Sequence, residues 1–304
     1  MATILDTLKK GTEFLQRHEV EEARLTMELL IAHVLKVERM QLYIDFDRSI
    51  AENQLTTLRE LTMRRGRGEP LQHLLGTIEF CDLDFRTDSR ALIPRPETEE
   101  LTMKLLTRTW PEPSRTEPSR TEPSRTEPSR TEPSRILDLG CGSGVIGLSL
   151  AHHLAEKNVA VTLADLSTEA LSLARENAEA LGMDQITLIE SDLFSALVGE
   201  FHLIVANLPY IPDSQETLLS REVRRDPALA LYGGTTGTEI MQRFLNDSLP
   251  HLTPHGLLAM EFGIGQESEL KTAAENLGFG QVEIHRDMGG IDRFLFATKS
   301  VKSQ

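Results

Sequence analysis

Cysteine is almost missing from this chain: its 304 residues hold two, Cys81 and Cys141. Two thiols cannot build the disulfide framework of a secreted scaffold, and their scarcity fits a reducing compartment, so a cytoplasmic protein is expected. Long apolar runs are missing too. No stretch approaches the roughly 18 residues of a membrane helix, and the N-terminus lacks the basic-then-apolar pattern of a secretory leader; no membrane association is expected. The nine histidines are scattered, with His152-His153 the one close pair and no cysteine at zinc-ligand spacing, so no metal is expected. Positive charge is also short. Against 47 Asp and Glu stand 32 Lys and Arg, a formal charge of −15. Residues 136–304 carry −12 of it, residues 1–110 carry −3, and the segment between is balanced. An acidic domain repels a phosphate backbone, which disfavours direct nucleic-acid binding despite the small cluster Arg64-Arg65-Gly66-Arg67.

What is present is enough for two domains with a sizeable core. Residues 1–75 read as helical: Leu25, Leu29, Ala32 and Leu35 or Lys36 fall near helical spacing, and Leu55, Leu58, Leu61 and Met63 mark another helix. This stretch has no catalytic cluster and suits a docking module. Residues 76–110 read as a hairpin, with Ile78, Phe80, Leu83 and Phe85 alternating, and then a helix opened by Pro96 and an acidic first turn. Over 111–135 the tetrapeptide Glu-Pro-Ser-Arg occurs five times at a period of five. Proline at that period forbids helix and strand, so an extended linker is expected, bulging from the face opposite the active site. From Ile136 onward strands and helices alternate, which means an α/β fold with a mainly parallel sheet covered on both faces. Two closing strands without a helix between them imply one antiparallel edge strand.

The chain is organised around Phe201–Pro212. Leu203 to Ala206 is an unbroken apolar run, as in a strand buried on both faces, and it stops at Asn207-Leu208-Pro209-Tyr210. Pro209 cannot join a ladder and holds Leu208 extended. Ligands of open α/β sheets bind outside strand carboxyl ends, and an amide plus an aromatic ring there suit the gripping of a flat polar group. The second motif is Asp138-Leu139-Gly140-Cys141-Gly142-Ser143-Gly144, a strand running into a glycine turn and a helix. Two cofactors compete for it. Gly142, Gly144 and Gly147 match a dinucleotide fingerprint, with Asp165 18 residues further on. Gly140, Gly142 and Gly144 after Asp138 match a loop for S-adenosylmethionine. Glycine spacing leaves the two level, and Asp138, which would face an ammonium but repel a pyrophosphate, tilts toward the second. Asp165 ends the second strand, where it can hold ribose hydroxyls; Asp192 ends the third and could take the adenine amino group, with Leu193 as an apolar wall. Cys141 has no base partner in sequence and is not read as a nucleophile.

Several stretches resemble the HemK/PrmC family of protein-(glutamine-N5) methyltransferases. They are Glu22–Leu35, Gly68–Gly76, Leu92-Ile93-Pro94-Arg95-Pro96-Glu97-Thr98-Glu99, Asp138–Gly144, Asn207–Tyr210, Ala228–Gly234 and Asp287–Arg293. Together they span nearly the whole chain outside 111–135. The glycine loop and Asn-x-Pro-Tyr are shared with DNA adenine methyltransferases, so Ile93–Glu99 and the helical front discriminate. The resemblance implies a Rossmann-like class I S-adenosylmethionine-dependent methyltransferase sheet behind an N-terminal all-helical domain. It implies S-adenosyl-L-methionine held by Asp138, Gly140, Cys141, Gly142, Ser143, Gly144, Asp165, Asp192, Leu193 and Asn207. Asn207, Leu208, Pro209 and Tyr210 would form the catalytic and substrate-binding loop. The substrate implied is the glutamine of the Gly-Gly-Gln motif in class 1 peptide-chain release factors, in support of translation termination, with the front domain docking the release factor and the enzyme a monomer. The Asn207 oxygen and the Leu208 carbonyl would accept the two amide N–H bonds, and Tyr210 would pack on the amide plane. The family usually has proline where this chain has Leu208, but a backbone carbonyl is supplied by either. Rival readings are a DNA adenine-N6 methyltransferase, which tight DNA binding would revive; a nicotinamide-dependent dehydrogenase, which would prefer NAD; and a non-enzymatic release-factor-binding protein, which would take up no cofactor.

Overall fold

The computed structural model describes residues 2–108 and 132–300. Its contacts divide the chain into two compact units: Met1–Ile78 with Thr87–Ser89 and Leu219–Asp226, and Glu79–Arg86 with Arg90–Leu218 and Pro227–Gln304.

The first unit is helical. It contains α1 (Ile4–Arg17), α2 (Ala23–Leu35), α3 (Gln41–Ile44), α4 (Glu52–Gly66) and α5 (Leu71–Leu75). Thr3 and Asp6 form a reciprocal capping box that starts α1. The core stripe of α2 runs through Ala23, Met27, Leu30 and Ile31, whereas Leu25 and Leu29 are only half-buried. Ala32 and Leu35 are buried as expected, so on a helix apolar on more than one side spacing alone found half of the buried stripe. In α4, Leu55, Leu58 and Leu61 are buried but Met63 is exposed; the buried neighbour is Thr62, whose hydroxyl is satisfied by the Leu58 carbonyl at 2.6 Å. The unit also takes in Leu219–Asp226, where Glu222 pairs with the buried guanidinium of Arg65. No local pattern announces that long-range pairing.

A hairpin of β1 (Thr77–Phe80) and β2 (Leu83–Arg86) comes next. Of the four alternating residues, Phe80 and Phe85 are buried and meet edge to face at 6.1 Å, while Ile78 and Leu83 are half-buried. Then α6 (Pro96–Thr107) leads to the end of the first described stretch. The expected linker over 111–135 falls, through Thr131, outside the described residues. Its last two residues do not act as linker: β3 (Ser134–Leu139) already includes Ser134 and Arg135, which pair with Val159 and Ala160.

The second unit continues with α7 (Val145–His153), β4 (Val159–Asp165), α8 (Thr168–Ala180), β5 (Thr187–Glu190), β6 (Phe201–Asn207) and β7 (Ile211–Pro212). It closes with β8 (Tyr232–Gly234), α9 (Glu239–Ser248), β9 (Leu252–Glu261), α10 (Glu267–Leu277), β10 (Phe279–Arg286) and β11 (Asp292–Lys299). Seven strands form one sheet in the order β10-β11-β9-β6-β3-β4-β5. The five from β9 to β5 are parallel. The antiparallel strand is not at the edge, as expected, but second from it: β11 pairs antiparallel with both β9 and β10. Burial explains the order. Phe294, Leu295, Phe296 and Ala297 of β11 are all buried, whereas most of β10 is half-exposed; the strand with the unbroken apolar run takes the interior slot. The two-residue pairing of β7 with β8 is too short to leave a sequence pattern.

Candidate active site

The sheet changes direction at β3 and β6. From β3 the chain builds outward through β4 and β5, and from β6 outward through β9, so the carboxyl ends of β3 and β6 stand side by side, Leu139 opposite Ala206. Such a switch point opens the crevice in which open α/β sheets bind ligands. Both sequence motifs end there.

After β3, Gly140, Gly142 and Gly144 take φ values of +70°, +55° and +83°. Three left-handed residues in five make a turn that other side chains would strain. The turn is interlocked with the Asn207–Tyr210 loop, because a Cβ at Gly140 would lie 2.8 Å from Leu208 Cδ2. Ser143, buried, is held through its carbonyl by Asn177 Nδ2 at 2.9 Å.

Asp138 is fully buried; its Oδ2 accepts the Gly147 N–H at 2.8 Å, and its Oδ1 has no hydrogen-bond partner. Burial pushes its carboxyl up to about 7, with the nearby Asp165 charge adding and the Gly147 N–H opposing. Asp165 braces the loop, accepting the Gly142 N–H at 2.9 Å and the Ser167 N–H at 2.8 Å. Burial raises its pKa as well, against those N–H groups. Residues 138–147 contain no Lys or Arg. A positive-φ glycine turn with one unsatisfied buried carboxylate oxygen and a second carboxylate one strand away fits a ligand with an ammonium and a ribose diol better than a pyrophosphate.

The remaining cofactor candidates are less uniform. Leu193 is buried with φ +47°, its carbonyl accepting the Ser191 hydroxyl at 2.6 Å. Asp192 is exposed, and both its oxygens accept from Arg243 Nη2, at 3.2 and 3.1 Å. Any adenine contact by Asp192 therefore competes with that pair. Cys141 is buried, and burial followed by the Asp138 and Asp165 charges pushes its thiol well up, which suits an inert packing residue. Among the described residues no three His, Cys, Asp or Glu come together as a metal site.

The Asn207–Tyr210 loop is held from several sides. Pro209 is followed by β7, and the Ile211 N–H bonds to the Leu231 carbonyl at 3.0 Å. Gly233 and Gly237 leave room for the Pro209 and Tyr210 carbonyls, which a Cβ at either position would strike. Gln266 Nε2 donates to the Tyr210 carbonyl at 3.0 Å. Asn207 Nδ2 donates to Thr98 Oγ1 at 2.9 Å, which leaves Oδ1 as the acceptor. Thr98 Oγ1 donates to Glu261 Oε2 at 2.8 Å, and the Tyr210 hydroxyl donates to Glu261 Oε1 at 3.3 Å. Burial, and then the Glu261 charge, raise the Tyr210 pKa, so the phenol stays protonated.

Sequence reasoning missed Thr98 and Glu261. Thr98 lay inside the discriminating stretch Ile93–Glu99 but was read only as part of a helix start. Glu261 had a signal of its own, an acidic residue closing an apolar strand, as Asp165 closes β4 and Asp138 stands one residue from the end of β3.

Solved structures share this architecture. The hMettl16 catalytic domain aligns over 83% of this chain and 84% of its own at 14% identity, with a TM-score of 0.51. A methyltransferase from Pyrococcus furiosus aligns over 72% and 90% at 19% identity, with a TM-score of 0.50. The reversed sheet order with its inserted antiparallel strand, together with the glycine turn at the switch point, defines a class I S-adenosylmethionine-dependent methyltransferase. Residues 126–225 match the methyltransferase small domain and residues 6–76 the PrmC N-terminal domain. A release factor glutamine methyltransferase of Rhodopirellula baltica is 36% identical over 98% of this chain and 97% of its own length, and one of Geobacter sulfurreducens is 35% identical over 96% and 95%. This chain belongs to the release factor glutamine methyltransferase family.

Proposed function

We propose that this protein methylates the side-chain amide nitrogen (N5) of the glutamine in the Gly-Gly-Gln motif of class 1 peptide-chain release factors. The observation that carries this reading is the orientation of Asn207. Its Nδ2 is committed to Thr98, so Oδ1 is left to accept an N–H. A carboxamide substrate offers two N–H donors, and the Leu208 carbonyl would take the second. An amide nitrogen is a poor nucleophile because its lone pair is delocalised into the carbonyl, so orientation is the main service a site can offer. Tyr210 would pack on the amide plane and exclude water. S-adenosylmethionine supplies the electrophilic methyl group when bound; Asp138, Gly140–Gly144, Asp165, Leu193 and Asn207 would hold it, with Asp192 at the adenine edge once released from Arg243. No general base is required if the nitrogen sheds its proton after transfer.

Family membership supports the release-factor reading over a DNA adenine-N6 methyltransferase, and the −12 charge on residues 136–304 adds to it. The helical residues 1–75 would dock the release factor. In this reading the enzyme acts in the cytoplasm as a monomer; among the described residues no helix is long and apolar enough to cross a membrane.

The test is methyl transfer from labelled S-adenosylmethionine to a purified release factor, beside a variant with the Gly-Gly-Gln glutamine changed to alanine. Label on the wild-type factor alone is expected. Equal label on both, or on neither while the cofactor binds, would refute the assignment of the target residue.

A further inference from the structure

We propose that Glu261 is a positioning residue for the transfer, acting through Thr98 to fix which end of the Asn207 amide faces the substrate, and holding Tyr210 with its other oxygen. The inference rests on the glutamine-methylating reading of the site.

Glu261 is the last residue of β9 and pairs in register with Asn207, the last residue of β6. It is 1% exposed. A buried carboxylate is costly unless its oxygens are satisfied, and here a hydroxyl from α6 takes one oxygen and a hydroxyl from the Asn207–Tyr210 loop takes the other. The consequence for Asn207 follows from donor counting. An asparagine amide has a donor end and an acceptor end of nearly the same shape, so its neighbours decide which way it points. Ionised Glu261 can only accept. The Thr98 proton is thus spent on Glu261, and the Thr98 oxygen can only accept from Asn207 Nδ2. A flipped Asn207 would set two acceptors against each other. With the Thr98 proton free, the hydroxyl could turn and donate to Asn207 Oδ1, and the amide would then present N–H groups to the N–H groups of its target.

The charged state of Glu261 therefore matters to turnover. The groups that face it are Thr98 and Glu97 of α6, Tyr210 beyond β6 and Arg293 of β11. Burial raises its pKa most and Glu97 adds to the rise, while the Thr98 hydroxyl, the Arg293 charge and the Tyr210 hydroxyl oppose; the balance lies at about 7. Turnover should climb as pH rises through that range, because only the ionised form obliges both oxygens to accept, whereas the protonated acid can donate to Thr98 and free the Thr98 proton.

The experiment uses the full chain, a release factor and labelled S-adenosylmethionine, with Glu261→Gln, Thr98→Val, Thr98→Ser and the Glu261→Gln/Thr98→Val double variant. Expected are a kcat on the order of 100-fold lower in Glu261→Gln and Thr98→Val, and wild-type affinity for S-adenosylmethionine in both. Thr98→Ser, which keeps the hydroxyl, should stay near wild type. The double variant should be no worse than either single, since both break one relay, and the climb of kcat with pH should vanish in Glu261→Gln. An unchanged kcat and pH profile in Glu261→Gln would overturn the inference. So would Thr98→Ser as poor as Thr98→Val, or cofactor affinity falling in step with turnover. A wild-type enzyme that binds cofactor but leaves release-factor glutamine unlabelled would instead refute the functional reading, and this inference with it.

Discussion

Gly147→Ala sets two well-measured effects against each other. Gly147 lies within α7, where alanine is ordinarily better by about 1 kcal/mol. Here a Cβ would overlap Leu163 Cδ2 on β4 and stand 3.0 Å from Asp138 Cβ and 3.1 Å from Asp138 Oδ2. Leu163 is fully buried, so its side chain has little room to yield. Overpacking of this kind costs about 1–3 kcal/mol. If α7 moves outward instead, the 2.8 Å bond from the Gly147 N–H to buried Asp138 stretches, and a bond to a charged group contributes about 1.5–3 kcal/mol. Packing should win, with a net loss of about 1–2 kcal/mol and a Tm lowered by roughly 2–8 °C. Thermal unfolding measures the first effect. Titration with S-adenosylmethionine measures the second, a weaker affinity, because the glycine turn opens α7. Leu163→Ala in the same chain should cost less than it does alone, since it makes room for the new methyl. A Gly147→Ala protein as stable as wild type, or more so, would show that propensity prevails and that α7 does not pack on β3 and β4 as closely as described.

Other perturbations reach the site from different sides. Asn207→Ala should lower kcat far more than cofactor affinity; equal losses in kinetics and in binding titrations would refute its positioning role. Asp165→Ala removes a brace of the glycine turn and the proposed ribose acceptor, so S-adenosylmethionine affinity should fall by about tenfold or more, roughly 1.4 kcal/mol, with kcat at saturation little changed; unaltered affinity by calorimetry would exclude that role. Asp138 and Glu261 both have folded-state pKa values raised to about 7, from ordinary values of 3.8 and 4.5. The folded state then holds those protons more tightly than the unfolded one, so their contribution is full below about pH 4 and is lost as pH rises through about 7. Denaturation midpoints from pH 5 to pH 8 should fall accordingly, and less steeply in Glu261→Gln; an identical slope would count against the burial of that charge. Burial pushes the Cys81 thiol up to about 12 and the Cys141 thiol well up, so alkylation at pH 8 followed by mass spectrometry should modify neither before denaturation.

Local chemistry made part of this protein readable from its residues. An apolar run ending in Asn207-Leu208-Pro209-Tyr210 can scarcely be other than a buried strand that stops, because Pro209 removes a donor and restricts Leu208. Asp138–Gly144 announces a tight turn into a helix, because only glycine tolerates three left-handed residues so close together. Those effects act within a few residues, and the sequence carries them whole. The rest depended on which strands became neighbours. That β11 rather than β10 fills the interior slot, that Leu208 packs against Gly140, and that Arg65 finds Glu222 are outcomes of pairing between segments far apart in the chain. The same holds for the network behind Asn207. Thr98, Asn207 and Glu261 occupy three separate elements, and nothing in the neighbourhood of any one of them specifies the other two. A hydrogen bond is decided within about 3 Å in space, and only the folded sheet, by setting the ends of β6 and β9 side by side, brings those three side chains within that distance.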